Sequence, residues 1–284
     1  MTQKIHVIGA SGRSGLAVSR ALAARGASVV PVVRNPARWR PIAGSEAPRI
    51  ADLTDPRALA EAIGDAQAVI SCAHARHIGA ILTATQARRL AFLGSTRRFT
   101  RWPDSHGDGV IAGEAALRSS GRAGVLLHPT MIYGAAGEDN VRRLAALLRR
   151  LPVVPLPGGG RALVQPVYQD DVTQALCAVI ERDWSGPQSF VIAGPEAMPY
   201  RDFVAAVARA AGLRRPRFVG VPAAALIAAS PLTLLPGLPR IRGAEIRRLL
   251  EDKAFDIAPA RAAFGFAPIS LAQGLASTFR PDAP

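Results

Sequence analysis

The stretch "VIGASGRSGLAVSRALAARG", Val7 to Gly26, begins in a short apolar strand pattern, passes three glycines, and runs on as an amphipathic helix pattern that stops at Gly26. Gly9, Gly12 and Gly15 fall in the spacing G-x-x-G-x-x-G. The first permits a tight turn, the second lets the backbone approach a pyrophosphate, and the third lets helix and strand pack closely. The helix N-terminus adds unpaired N–H groups and a positive dipole end, which suit an anion. Such a turn can exist without a ligand. The preceding strand and following helix instead point to a dinucleotide, with Gly9, Ser11, Gly12, Arg13, Ser14 and Gly15 as its expected cradle.

Working outward, short β-branched runs recur at Ile5–Ile8, Ser28–Val33, Arg49–Ala51, Ala68–Ser71, Leu90–Leu93 and Val125–Leu127, with helix-like stretches between most of them. This order predicts an α/β fold: a doubly wound parallel Rossmann sheet with a smaller, partly helical C-terminal cap. The stretch "DPRALAEAIG" signals a helix at both ends, with Asp55 as N-cap, Pro56 at the first helical position and a stop at Gly64. Residues 1–130 are expected to form the dinucleotide-binding core. Residues 131–284 form a mixed region that returns to the sheet and builds a small substrate or partner cap. In that region "NVRRLAALLRRLP", "DDVTQALCAVIER", "YRDFVAAVARAAG" and "GAEIRRLLED" read as helices, with Asp170 or Asp171 capping the second.

The end of the second strand bears on the choice of dinucleotide. An acidic residue there would hold a ribose 2′-hydroxyl, but "VVRNP" carries Arg34. Arg34, helped by Arg13, suits a 2′-phosphate, so NADP(H) is expected over NAD(H); the alternative is a solvated arginine in an arginine-rich chain. Asp52 and Leu53 in "IADLTD" are expected at the adenine edge, although Asp52 equally suits a loop cap. Cys72 and Ala73 in "SCAHA" would pass along the ribose and phosphates.

The 284-residue chain has a net charge of +14, and of its 35 basic residues only Lys4 and Lys253 are lysines. That charge favours acidic partners, but the arginines are scattered and no aromatic-rich motif accompanies them, so no nucleic acid is expected. The expected partners are a dinucleotide and an unidentified small molecule. Cys72 and Cys177 read as reduced core thiols, and no Cys or His cluster has metal-ligand spacing. The N-terminus lacks a signal-peptide pattern, which points to the cytoplasm. Phe218–Pro239 is uncharged but carries prolines at 222, 231, 236 and 239; it is expected as a buried or interfacial helix and loop, and as a place where a membrane surface or protein partner could dock.

"GASGRSG", "VVRNP", "ADLTDP" and "FLGSTRRF", followed by "LLHPTMIYG", "PLPGGGRALVQPVYQDDV" and "FDIAPARAAFGFAPISLAQGL", resemble the landmarks of the short-chain dehydrogenase/reductase superfamily. The likeness is to its extended and atypical branches: nucleotide-sugar epimerase-like, complex I 39-kDa-subunit-like and NmrA-like proteins. It implies a Tyr-x-x-x-Lys pair assisted by Ser or Thr at the end of the fifth strand. This sequence departs from that pattern, because Tyr133, Tyr168 and Tyr200 have Gly137, Val172 and Val204 four residues on. Counting back from "AGEAAL" puts His106 and Val110 near the places of the pair. The candidate reacting residues are therefore Ser95, Thr96, His106 and Tyr133, each with a structural alternative. The leading expectation is an oxidoreductase that transfers hydride without the pair. The alternatives are a non-catalytic NAD(P)-binding sensor or assembly factor and, third, a nucleotide-sugar epimerase or dehydratase.

Overall fold

A computed structural model describes residues 4–134, 140–151, 153–229 and 243–280. Its centre is a sheet of seven parallel strands. Six come from the first half: β1 (Lys4–Ile8), β2 (Ser28–Val33), β3 (Arg49–Ile50), β4 (Ala68–Ser71), β5 (Arg89–Leu93) and β6 (Gly124–Pro129). Four short strands follow: β7 (Ile132–Tyr133), β8 (Val153–Pro157), β9 (Leu163–Val164) and β10 (Val167–Tyr168). The chain then supplies β11 (Pro187–Ile192), the seventh strand of the sheet. The order β11-β6-β5-β4-β1-β2-β3 reverses direction between β1 and β4, and the carboxyl ends of those two strands open a crevice.

The central strands are almost continuously apolar because helices cover both faces. On one face α1 (Arg13–Ala24) and α6 (Gln169–Ile180) pack Val18, Leu22, Val172 and Leu176 against Ile5, Val7, Val29 and Val125. On the other, α2 (Pro56–Ile63), α3 (Ile78–Ala84) and α4 (Ser105–Ser120) bring Leu59, Ile63, Ile81 and Leu117 onto Ile8, Val69 and Phe92. A third cluster joins α5 (Asn140–Arg150), α7 (Tyr200–Ala210) and α11 (Leu271–Phe279) through Val141, Leu148, Phe203, Val207 and Leu275. The remaining elements are β12 (Met198–Pro199), β13 (Arg217–Val221), α8 (Ala223–Ala229), α9 (Gly243–Arg248) and α10 (Ala258–Phe264).

One expectation is corrected and one refined. Helix α6 starts at Gln169 after Tyr168 without a side-chain cap, so neither Asp170 nor Asp171 caps it. Asp171 is buried and accepts the Ile269 backbone N–H at 3.1 Å, tying the C-terminal segment to the sheet layer. Before the expected helix forms as α8, the apolar 218–239 segment begins as a strand, with β13 pairing in parallel with β8. Val219 is 48% exposed there. Residues 230–239 lie outside the described residues, and no helix among the described residues is long and apolar enough to cross a membrane.

Candidate functional site

The glycine loop sits at the sheet's reversal point. Gly9 has φ +76°, and a Cβ on it would come within 3.3 Å of Ala73 N, so only bare backbone lets the loops after β1 and β4 approach this closely. A Cβ on Gly15 would lie 2.1 Å from Gly9 O, which fixes how tightly α1 packs on the loop. Gly12 is the N-cap of α1 and offers no side-chain oxygen. The first-turn N–H groups of that helix therefore have no side-chain cap, the arrangement a pyrophosphate requires. Ser14 points elsewhere, its hydroxyl donating to Gln169 Oε1 at 3.3 Å.

Beside the loop is a cavity of about 430 Å³, into which the fold gathers Gly9, Ser11, Gly12, Arg34, Asp52, Leu53, Cys72 and Ala73. Asp52 accepts both the backbone N–H and the hydroxyl of Thr54, at 2.9 and 2.7 Å. Those bonds, with Arg34 opposite, hold its carboxyl below the usual carboxylate range. His74, in the stretch expected along the ribose and phosphates, and His77, which the sequence does not single out, also line this cavity. His74 Nδ1 accepts the Arg76 N–H while Nε2 is buried without a partner; burial, with His106 and Arg76 nearby, lowers its pKa to about 4, so the ring is neutral. Arg13 lines a second, adjoining cleft that shares Ser11 and Gly12 and adds Arg20, Arg38 and Arg40. Cations thus stand on both sides of the loop.

A further cavity, of about 420 Å³, opens at the carboxyl ends of β5 and β6. Ser95 and Thr96 line it, together with Thr130 and Met131. Both hydroxyls also serve the backbone: Ser95 Oγ accepts the Arg97 N–H at 3.2 Å, and Thr96 Oγ1 donates to Pro129 O at 3.2 Å. Ser95 keeps its own O–H proton, for which no acceptor is found among the described residues. Arg97 and Arg248 share Asp104, whose other oxygen caps α4 through the His106 and Gly107 N–H groups. The far wall is the segment after α9, where buried Glu251 accepts from the Thr100 hydroxyl and the Arg101 N–H, and where Lys253 lies. Neither Glu251 nor Lys253 was singled out as a site residue by motif reading, because sequence distance hides their approach to β5.

Two other candidates fall outside both cavities. Tyr133 is fully buried against Tyr168 in the third cluster, its hydroxyl 3.5 Å from Leu271 O. Burial raises its pKa, and as a core residue it does not line the pocket. His106, in the first turn of α4, packs edge-on to His74 with ring centroids 4.3 Å apart, and burial lowers its pKa. It backs the nucleotide-side wall without lining either cavity. Val110 is buried on the same helix. Cys72 and Cys177 are free thiols, and the described residues contain no group of His, Cys, Asp and Glu able to hold a metal.

Residues 9–108 match a protein-family model described as NAD(P)H-binding. No curated protein sequence matches the chain. Among solved structures, a UDP-glucose 4-epimerase from Thermotoga maritima with UDP-glucose is 16% identical, with 98% of this chain and 97% of that one covered and a TM-score of 0.71. A UDP-glucuronic acid 4-epimerase from Bacillus cereus, in complex with UDP-glucuronic acid and NAD, is 15% identical over 98% of each chain, with a TM-score of 0.73. A dTDP-glucose 4,6-dehydratase from Streptomyces venezuelae with NAD bound is 15% identical over 98% of this chain and 96% of that one, also at 0.73. The chain has the Rossmann fold of these epimerases and dehydratases, and its residues 9–108 are similar to an NAD(P)H-binding family.

Proposed function

We propose that the protein is an NADP(H)-dependent oxidoreductase that acts on a small carbonyl or alcohol substrate without a Tyr-x-x-x-Lys pair. The observation that carries this reading is the adjacency of two cavities along one sheet edge. One is built on the glycine loop, and the other holds Ser95 and Thr96 but no tyrosine.

On this reading the uncapped first turn of α1 binds the pyrophosphate, Asp52 and Leu53 flank the adenosine, and Cys72 and Ala73 border the ribose. Arg34 and Arg13, with Arg38 and Arg40 in the adjoining cleft, support a preference for the 2′-phosphate. A bound nicotinamide supplies or accepts a hydride. The protein orients a carbonyl oxygen toward the Ser95 hydroxyl and walls it with Phe99, Met131 and Phe255.

Nucleotide-sugar epimerisation remains the second reading, supported by the fold of proteins solved with such sugars. Against it, Tyr133 is buried in a separate core and neither Tyr168 nor Tyr200 lines the pocket. The test is deuterium transfer from C4-deuterated NADPH to a panel of aldehydes and ketones, followed by mass spectrometry of the alcohols. Label in a product supports the oxidoreductase. Turnover of UDP-glucose to its 4-epimer, with no label transferred to any carbonyl, overturns it in favour of the second reading.

A further inference from the structure

Lysine is scarce in this chain: Arg supplies the basic charge everywhere except at Lys4 and Lys253. The difference is chemical, because a guanidinium does not give up its proton near neutral pH whereas a buried ammonium can. Lys4 sits at the sheet's amino end, paired with Glu46 at 2.9 Å. Lys253 lines the cavity that also holds Ser95 and Thr96.

Its backbone is fixed. Lys253 N donates to Leu163 O at 2.8 Å, and the neighbouring Asp252 carboxylate accepts the Leu163 N–H at 2.8 Å. The ammonium gives one hydrogen bond, to Arg248 O at 2.8 Å, and among the described residues no carboxylate pairs with it. Two of its three donors are thus left for the cavity it lines. Burial pulls its pKa down; Arg248 and Arg97 add to that, while Glu251 opposes it. The wall around it carries Arg97, Arg101 and Arg248, of which Arg97 and Arg248 share the single carboxylate of Asp104.

We propose that Lys253 is a catalytic residue whose ammonium meets the substrate's carbonyl oxygen opposite Ser95, and that the substrate is an aldehyde or ketone bearing a phosphate or carboxylate held by the neighbouring arginines. The inference rests on the oxidoreductase reading above. As hydride from the reduced dinucleotide forms the new C–H bond, the carbonyl π electrons move to oxygen and take a proton from Lys253 Nζ. The products are an alcohol, the oxidised dinucleotide and a neutral amine that water reprotonates.

Pyridoxal 5′-phosphate, an anionic aldehyde, is the probe. Its aldehyde condenses with an amine, releasing water, and borohydride reduction fixes the adduct for peptide mass spectrometry. At neutral pH, Lys253 is expected to be modified at least tenfold faster than Lys4, and about tenfold faster by pyridoxal 5′-phosphate than by pyridoxal. Pyridoxine 5′-phosphate, which lacks the aldehyde, should protect it. Lys253→Met should abolish that adduct while NADPH affinity stays within twofold. Equal labelling of Lys4 and Lys253, or none at Lys253, overturns the role of the amine; equal rates with pyridoxal overturn the anionic class. NADPH titration of the same sample separates the two layers. Intact NADPH binding with an inert Lys253 sinks this inference alone, and a reactive Lys253 without NADPH binding sinks the oxidoreductase reading.

Discussion

A methyl group at Gly15 has nowhere to go, since it would meet the Gly9 carbonyl at 2.1 Å and the Ala10 Cα at 2.9 Å. Gly15→Ala is therefore expected to cost about 1–3 kcal/mol, the usual range for overpacking, and to weaken NADPH binding by displacing α1 from the loop. Urea denaturation and titration of the same variant check both effects. Arg34 is exposed beside Asp52 and carries the cofactor preference in this account. Arg34→Asp should lower NADPH affinity at least tenfold, about 1.4 kcal/mol, and leave NADH within a few-fold. An unchanged NADPH/NADH ratio would assign the 2′-phosphate elsewhere, to Arg13 and its cleft. That Gly9, Gly12 and Arg34 meet at one cavity is legible in the sequence, because their positions follow from a strand and helix next to them in the chain. The chemistry of His74 and of Lys253 is not, because it comes from burial and company drawn from remote segments: His106 on α4 for the first, Arg97 and Arg248 for the second.

Elements announce themselves where local chemistry sets their ends. Asp55 accepts the N–H groups of Arg57 and Ala58 at 2.9 and 3.2 Å, and with Pro56 it starts α2 where the sequence indicates. Asp55→Ala should cost about 1 kcal/mol, read as a lower thermal midpoint with NADPH affinity unchanged. Loss of binding in this variant would mean that α2 positions the Asp52 loop more directly than its geometry implies. The two adjacent acids in the first turn of α6 carry the same local signal with a different outcome, because Asp171 is claimed by Ile269, nearly a hundred residues away. The parallel β8–β13 pair and the antiparallel β9–β12 pair escape sequence reading for a related reason: short strands with no shared turn are paired by the cap's packing and not by their own propensity. The parallel sheet is legible as repeated β-α units, and a return of the second half to it is expected, but which strand returns is not legible, since nothing local marks β11 as β6's neighbour.

Taken as a whole, the molecule buries imidazoles it does not ionise. His6 and His128 are 0% and 1% exposed, and both are held below the ordinary value of 6.5, His128 at about 4, by burial above all. Between those values the unfolded chain binds more protons than the folded one, so stability is full above about pH 6.5 and falls as the pH drops toward 4. Asp171, raised to about 6 by burial, works the other way and offsets part of the loss. The expected net effect between pH 7 and pH 4.5 is a loss of roughly 1–3 kcal/mol, measured by urea midpoints, and His6→Leu should make the slope shallower. Stability that rises on acidification would contradict neutral burial of these rings. The reading of the whole chain depends most on the crevice between β1 and β4. The most direct test is calorimetric titration of nucleotide-free protein with NADPH and with NADH. The account predicts saturable binding of one dinucleotide per chain, with NADPH at least tenfold tighter. No measurable binding of either nucleotide would contradict it, leaving the glycine loop a structural turn and the neighbouring pocket without its hydride source.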